Sequence, residues 1–266
     1  MNNLQDFKNK SRKMWALGSY GEIAPELLPA SAHLVNAANV GPRDSVLDVA
    51  CGTGITSITA RKQNANVTGL DLTPELLAQA KQEASIASIK DIEWKEGDVE
   101  DLPFEDNVFD VVLSSFGHMF SPRPEICISE IIRVTKSGGR IAFATWPPEL
   151  AVGYEFMVIS KYIQQPPSSP PSPLLWGSPD IIIERFGDKI SEIHFERGNV
   201  GISTLTLHHY WQYMSTKFGP LIGAIQTIGD KQIINSLKNE FINSLSRYYS
   251  DNVLKLDYLV TVAIKK

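Results

Sequence analysis

Apolar and polar positions change their period along this chain. Leu4, Phe7, Met14 and Leu17 recur at helical spacing, which predicts a helix over about 4–17, broken at Gly18-Ser19-Tyr20-Gly21. Helical spacing returns over about 22–38 through Ile23, Leu27, Leu28, Leu34 and Val35. Pro25 suits a first turn, whereas Pro29 marks a point where that helix breaks or restarts. After the turn Gly41-Pro42-Arg43-Asp44, short apolar runs take over. Val46-Leu47-Asp48-Val49 leads from a strand starting at Ser45 into Ala50-Cys51-Gly52-Thr53-Gly54, and a helix-like segment follows over about 55–63.

From there the two patterns alternate. Asn66 to Asp71 reads as a second strand ending in an acid. Thr73 is placed to cap the next helix, Pro74 suits its first position, and Leu76, Leu77, Ala80, Ala84 and Ala87 share one face. Further strands are expected over about 91–96, 108–115 and 140–146, with a helix over about 124–134 and a turn at Lys136-Ser137-Gly138-Gly139. Alternation of this kind predicts an α/β fold built on a mostly parallel, doubly wound sheet. The remainder is less regular. A proline-rich stretch over 164–175 reads as a stiff connection, followed by a helix over 178–186 and a strand over about 189–195. Two or three helices over 206–249 and an apolar final strand over about 258–264 complete the pattern.

Composition narrows the function. The chain has 266 residues, 43% hydrophobic and 21% charged, with a formal net charge of −5. A nucleic-acid partner usually demands a basic face, and only the segment around Lys8 to Lys13 is locally basic, so no nucleic-acid partner is expected. Cys51 and Cys127 are the only cysteines, too few for a zinc cluster and suited to a reducing, cytoplasmic setting. Met1 precedes a polar start with no apolar core, which predicts neither a signal peptide nor a membrane span. No metal site is expected.

Candidate chemistry gathers at three strand ends. Ligands of open parallel sheets bind beyond the carboxyl ends of the strands, and Asp48, Asp71 and Asp98 end or adjoin three successive ones. Asp71, 17 residues past Gly54, is placed to accept from a ribose diol. Asp98 can accept from an exocyclic adenine amino group while the Val99 amide reads a ring nitrogen, and Asp48 can balance an ammonium or sulfonium. Glu100, Asp101, Glu105 and Asp106 read as a solvated acidic loop. A nicotinamide dinucleotide fits poorly. Its three-glycine fingerprint falls on Ala50, Gly52 and Ile55, and a β-branched isoleucine obstructs the packing that the third glycine allows. A pyrophosphate would also face Asp48 and Asp71 with no basic residue nearer in sequence than Arg61.

These residues resemble the class I S-adenosylmethionine-dependent methyltransferases. The likeness runs over 45–146: the glycine loop Val46 to Gly54, the strand end Gly69-Leu70-Asp71, the segment Gly97-Asp98-Val99-Glu100-Asp101-Leu102-Pro103-Phe104, the fourth strand with Ser115-Phe116-Gly117, and Gly138-Gly139-Arg140. Ser137 stands where the family usually has proline. The branch is similar to the ubiquinone and menaquinone C-methyltransferases and small-molecule methyltransferases. The resemblance implies a Rossmann-like fold, with a mostly parallel seven-stranded sheet, helices on both faces and an antiparallel last strand. It implies S-adenosyl-L-methionine as cofactor, with Ala50, Gly52 and Thr53 at its methionine part, Asp71 at the ribose, Leu72 against adenine, Asp98 and Val99 at the adenine edges, and the Ser115 carbonyl toward the amino end. Three segments are expected: N-terminal helices (1–44) that cap the site, the cofactor-binding core (45–146), and the last strands with an inserted helical substrate cover (147–266).

The acceptor expected is a small apolar or aromatic metabolite methylated on O, N or C. A protein or nucleic-acid methyltransferase and a non-catalytic cofactor-binding module are the alternatives. Any base for the acceptor is sought first at His118, just past the fourth strand, then at His208 and His209 beside Tyr210 and Trp211. Tyr20, in the glycine-flanked break, is placed to close over the cofactor. Trp176, Tyr210, Trp211 and Tyr213 line a substrate pocket or form ordinary core, and His33 and His194 look structural.

Overall fold

The computed structural model describes residues 2–163 and 169–266. Helices α1 (Asn2–Ala16), α2 (Tyr20–Ile23) and α3 (Leu28–Ala37) come first. The chain does restart at the second proline: a 3-10 turn, Ala24–Leu27, separates α2 from α3, and Pro29 sits in the first turn of α3, where its missing N–H costs nothing. There follow β1 (Ser45–Val49), α4 (Ile55–Arg61), β2 (Asn66–Asp71), α5 (Pro74–Ile86), β3 (Ile92–Glu96), β4 (Phe109–Ser115), α6 (Pro124–Val134) and β5 (Thr135–Thr145). The remainder holds α7 (Ala151–Lys161), α8 (Pro179–Phe186), β6 (Ile190–Ser203), α9 (Leu207–Lys217), α10 (Gly219–Ile228) and α11 (Lys231–Leu245), then a short β7 (Tyr249–Ser250) and β8 (Val253–Lys265). The expected proline-rich connection lies partly outside the described residues, and Pro173–Gly177 within it forms a 3-10 turn.

The strands order as β3-β2-β1-β4-β5-β8-β6, with β7 paired to β8 off this path. β1 pairs in parallel with β2 and β4, β2 with β3, and β4 with β5, while β8 runs antiparallel to β5. This is the α/β architecture, with an antiparallel last strand, that the sequence pattern and the resemblance implied. The order reverses at β1, so the crevice between β1 and β4 is the topological switch point. Val46, Leu47, Val49, Val111, Val112, Leu113, Ile141 and Phe143 are buried, as continuous apolar runs in central parallel strands should be.

One expected turn is a bulge instead. Phe109 lies opposite Thr135 and Val111 opposite Arg140, so 136–139 loops out of β5 with Gly138 at φ 74°. The glycines relieve the strain locally and the strand resumes in register. The missing proline at Ser137 is therefore of no consequence to the loop.

The described residues form two compact units. One contains Leu27–Pro148, Pro170–Gly198 and Tyr258–Lys266, and holds the sheet. The other contains Met1–Glu26, Glu149–Ser169 and Asn199–Asp257, and is mainly helical. In the helical unit Tyr210 stacks on Phe241 at 6.2 Å and Trp211 meets the same ring edge-on at 5.3 Å. These two aromatics are core. Tyr210 also donates its hydroxyl to Glu155 Oε1 at 2.9 Å inside that core, and the Tyr213 hydroxyl donates to the Glu22 carbonyl at 2.8 Å. Among the described residues no helix is long and apolar enough to cross a membrane.

Candidate functional site

The loop after β1 turns by left-handed backbone at alternate residues: Ala50 at φ 52°, Gly52 at 55° and Gly54 at 79°. Glycine is required at 54 for a second reason. A Cβ there would lie 2.5 Å from the Trp94 ring, which also crosses Gly69. Trp94 of β3 thus presses the start of α4 onto the sheet. At Gly52 an added Cβ would meet nothing within 4 Å, so this stretch of backbone presents an open face.

Each acid of the three strand ends has a definite environment. Asp71, buried, accepts from the Gly52 N–H through Oδ2 and from the Thr73 N–H through Oδ1, both at 2.8 Å. It thereby fixes the glycine loop against the end of β2. It also takes over the cap of α5, since the Thr73 side chain makes no cap bond. Burial raises the Asp71 carboxyl, opposed by these bonds and by further ones from the Thr73 side chain and the Leu72 backbone. Asp48 Oδ2 accepts from the Ser57 hydroxyl at 2.6 Å, while its buried Oδ1 has no partner among the described residues. Burial pushes the Asp48 carboxyl up to about 7, against the opposing pull of Ser57. Asp98 and Val99 are half-buried, and Asp98 Oδ1 accepts from the Glu100 N–H at 2.9 Å.

The loop beyond is not simply a solvated acidic stretch. Asp101, Glu105 and Asp106 are exposed, but Glu100 is buried and accepts from the Ser121 hydroxyl, the Arg123 N–H and the Arg123 guanidinium at 2.6–2.9 Å. Glu100 ties the segment after β3 to the one after β4. A sequence run of acids does not reveal this, because Arg123 lies 23 positions away.

At the end of β4, Ser115 is half-buried with its hydroxyl unpartnered among the described residues. Phe116 follows in left-handed backbone at φ 62°. A Cβ on Gly117 would lie 2.4 Å from the Ala50 carbonyl oxygen, so the loops after β1 and β4 touch at this glycine. Non-glycine residues in left-handed backbone cost about 1–3 kcal/mol each and concentrate at functional sites. Ala50 and Phe116 flank this junction. The Phe116 ring stacks on Trp146 at 4.0 Å, and Tyr258 meets both edge-on, at 5.9 and 6.3 Å. No local sequence signal announces this trio, since Tyr258 comes from the opposite end of the chain.

His118 lies in the core. Its ring stacks on Phe143 at 4.0 Å and meets the edge of Trp176 at 4.6 Å, with 0% exposure and neither ring nitrogen hydrogen-bonded among the described residues. Burial, helped by the Arg185 charge, lowers it to about 3, so it stays neutral at ordinary pH. Trp176 is likewise core of the sheet unit. His208 and His209 are exposed, and His209 is bonded to the α9 cap, its Nδ1 2.8 Å from the Thr206 hydroxyl. Tyr20 belongs to the helical unit, where its hydroxyl oxygen accepts from the Gly219 N–H at 3.2 Å. His194 is exposed beside Glu192.

Residues 47–143 match the family model described as a methyltransferase domain. Uncharacterized proteins of Mycobacterium tuberculosis and Mycobacterium bovis are 37% identical over 257 residues, 96% of this chain and 93% of theirs. The chain belongs to the class I S-adenosylmethionine-dependent methyltransferases. This methyltransferase is also 32% identical over 130 residues to a demethylmenaquinone methyltransferase of Bacillus cereus, covering 47% of this chain and 55% of that one. Its fold matches the crystal structure of a geranyl diphosphate C-methyltransferase from Streptomyces coelicolor, with TM-score 0.56 and 18% identity over 90% of this chain and 76% of that one.

The methyltransferase takes S-adenosylmethionine as cofactor, and the loop suits it. At Gly52 the loop leaves its outer face open, while Asp71 holds it from behind through the Gly52 N–H. Anionic side chains at two adjacent strand ends suit a sulfonium and an ammonium better than phosphate.

Proposed function

We propose that this methyltransferase acts on a small aromatic metabolite, with the acceptor held against Phe116, Trp146 and Tyr258. What carries the reading is the position of that trio: it begins one residue beyond β4 and one beyond β5, next to the junction of Gly117 with Ala50. Large planar rings meeting face and edge favour an aromatic guest.

Bound S-adenosylmethionine supplies an activated methyl group. In our reading Ala50, Gly52 and Thr53 hold its methionine part by backbone groups, and Asp48 neutralises positive charge beneath the loop. Asp71 accepts from the ribose, Leu72 packs against the base, and Asp98 with the Val99 amide reads the adenine edge. The Ser115 carbonyl receives the amino end. Holding acceptor and methyl in line accounts for as much as about 7–11 kcal/mol of barrier lowering. His118 acts as core packing in this scheme, its ring stacked on Phe143 and set against the edge of Trp176. The acidic balance argues against nucleic acid as partner, and two buried free thiols suit a cytoplasmic setting.

Incubation with methyl-labelled S-adenosylmethionine and cell extract separated into small molecules, protein and nucleic acid tests this directly. Label in the small-molecule fraction is expected. Label confined to protein or nucleic acid would overturn the acceptor class.

A further inference from the structure

Behind the aromatic trio lies a hydrogen-bonded series that the cofactor site does not use. The Tyr258 hydroxyl is 3.0 Å from His33 Nδ1, and His33 Nε2 is 2.9 Å from Glu196 Oε2. The three residues come from β8, α3 and β6, all within the sheet unit. Exposure rises along the series. Tyr258 is 2% exposed, the His33 side chain 29% and the Glu196 side chain 59%. A Cβ on Gly198 would lie 2.5 Å from the Tyr258 hydroxyl, so β6 admits the ring only through that glycine.

The direction of the bonds follows from their chemistry. A carboxylate only accepts, so Glu196 accepts from the His33 Nε2–H, and in the tautomer whose ring proton sits there Nδ1 accepts from the Tyr258 O–H. Burial holds the Tyr258 phenol above its usual range, so it persists as a neutral donor rather than as a phenolate. Every link then points from the aromatic trio toward solvent.

We propose that Tyr258, His33 and Glu196 form a proton path leading out of the acceptor site, and that the acceptor is accordingly an aromatic or enolic hydroxyl. The proposal rests on the methyltransferase reading given above. As the acceptor oxygen bonds to the methyl carbon, the carbon–sulfur bond breaks and its electron pair stays on sulfur. The acceptor O–H proton passes to the Tyr258 oxygen, directly or through one water, and the Tyr258 proton moves to His33 Nδ1. The Nε2 proton moves to Glu196 and from there to solvent. One proton leaves per methyl transferred, and His33 is restored when its ring protons re-equilibrate. Tyr258 is the group that touches the acceptor; His33 and Glu196 act through it.

Tyr258→Phe and His33→Ala test the path with two probes, phenol and 4-nitrophenol, assayed where the second is already ionised. Calorimetry with S-adenosylhomocysteine runs alongside, and ¹⁵N spectra of the wild type report the His33 tautomer. We expect both variants to bind S-adenosylhomocysteine as the wild type does, to methylate phenol about a hundredfold more slowly, and to lose at least about tenfold less on 4-nitrophenolate. The spectra should show the proton on Nε2. Equal losses on both probes, no loss on phenol, a proton on Nδ1, or a wild type that binds S-adenosylhomocysteine but methylates neither probe would overturn the path. A wild type that fails to bind S-adenosylhomocysteine would instead overturn the cofactor site beneath it.

Discussion

Two buried carboxyls give this protein a pH dependence with a definite sign. Glu155 sits in the core of the helical unit under the Tyr210 hydroxyl, and burial pushes it up to about 8. In the unfolded chain it titrates near the ordinary glutamate value of 4.5. Between those values the unfolded state has released a proton that the folded state retains, so stability falls as pH rises across the interval. Below it, both states are protonated and the preference is fully present. Thermal midpoints should therefore drop from acidic to mildly alkaline pH, and Glu155→Gln, which keeps an acceptor for Tyr210, should flatten that slope. A midpoint indifferent to this substitution at alkaline pH would show that Glu155 ionises at no cost. Asp48, raised to about 7 by burial, adds a slope of the same sign to the sheet unit. Its link to the cofactor runs the other way. A bound cation favours the carboxylate, so S-adenosylmethionine affinity should rise as pH passes through about 7, and Asp48→Asn should abolish the rise.

At the scale of elements, the site depends on two loops in contact. Gly117 is the place where the loop after β4 meets Ala50 of the loop after β1. Gly117→Ala would drive a methyl into backbone, and such overpacking costs about 1–3 kcal/mol. Urea titration should show that loss together with weaker S-adenosylhomocysteine binding, because the glycine loop must shift. A fully stable variant with unchanged binding would mean that the contact is slack. The elements themselves were largely legible, because β1, β2 and β4 are buried on both faces and read as uninterrupted apolar runs bounded by glycine or acid. The restart at Pro29 was legible from the proline's missing donor. The bulge at 136–139 was not, since a Lys-Ser-Gly-Gly sequence turns equally well before a strand or within one. Nor was the burial of Glu100, whose partner Arg123 is remote in sequence.

For the whole molecule, the fold follows from a short list of local facts: alternating periods, glycines at one turn, and acids at successive strand ends. Residues joined across long sequence separations were a different matter. His33 looked structural, yet it joins Tyr258 to Glu196 across separations of 225 and 163 positions. His118 was attractive because it follows β4 closely, but a position in sequence does not say which way a ring turns, and this one turns into the core. The central claim is that the glycine loop and Asp71 together seat S-adenosylmethionine. Calorimetric titration of wild type and Asp71→Ala with S-adenosylhomocysteine tests it most directly, with thermal melting to verify that the variant is folded. One site per chain and an affinity weaker by at least about tenfold in the variant are predicted from the loss of charge-assisted ribose bonds. A folded variant that binds as tightly as the wild type would contradict the claim.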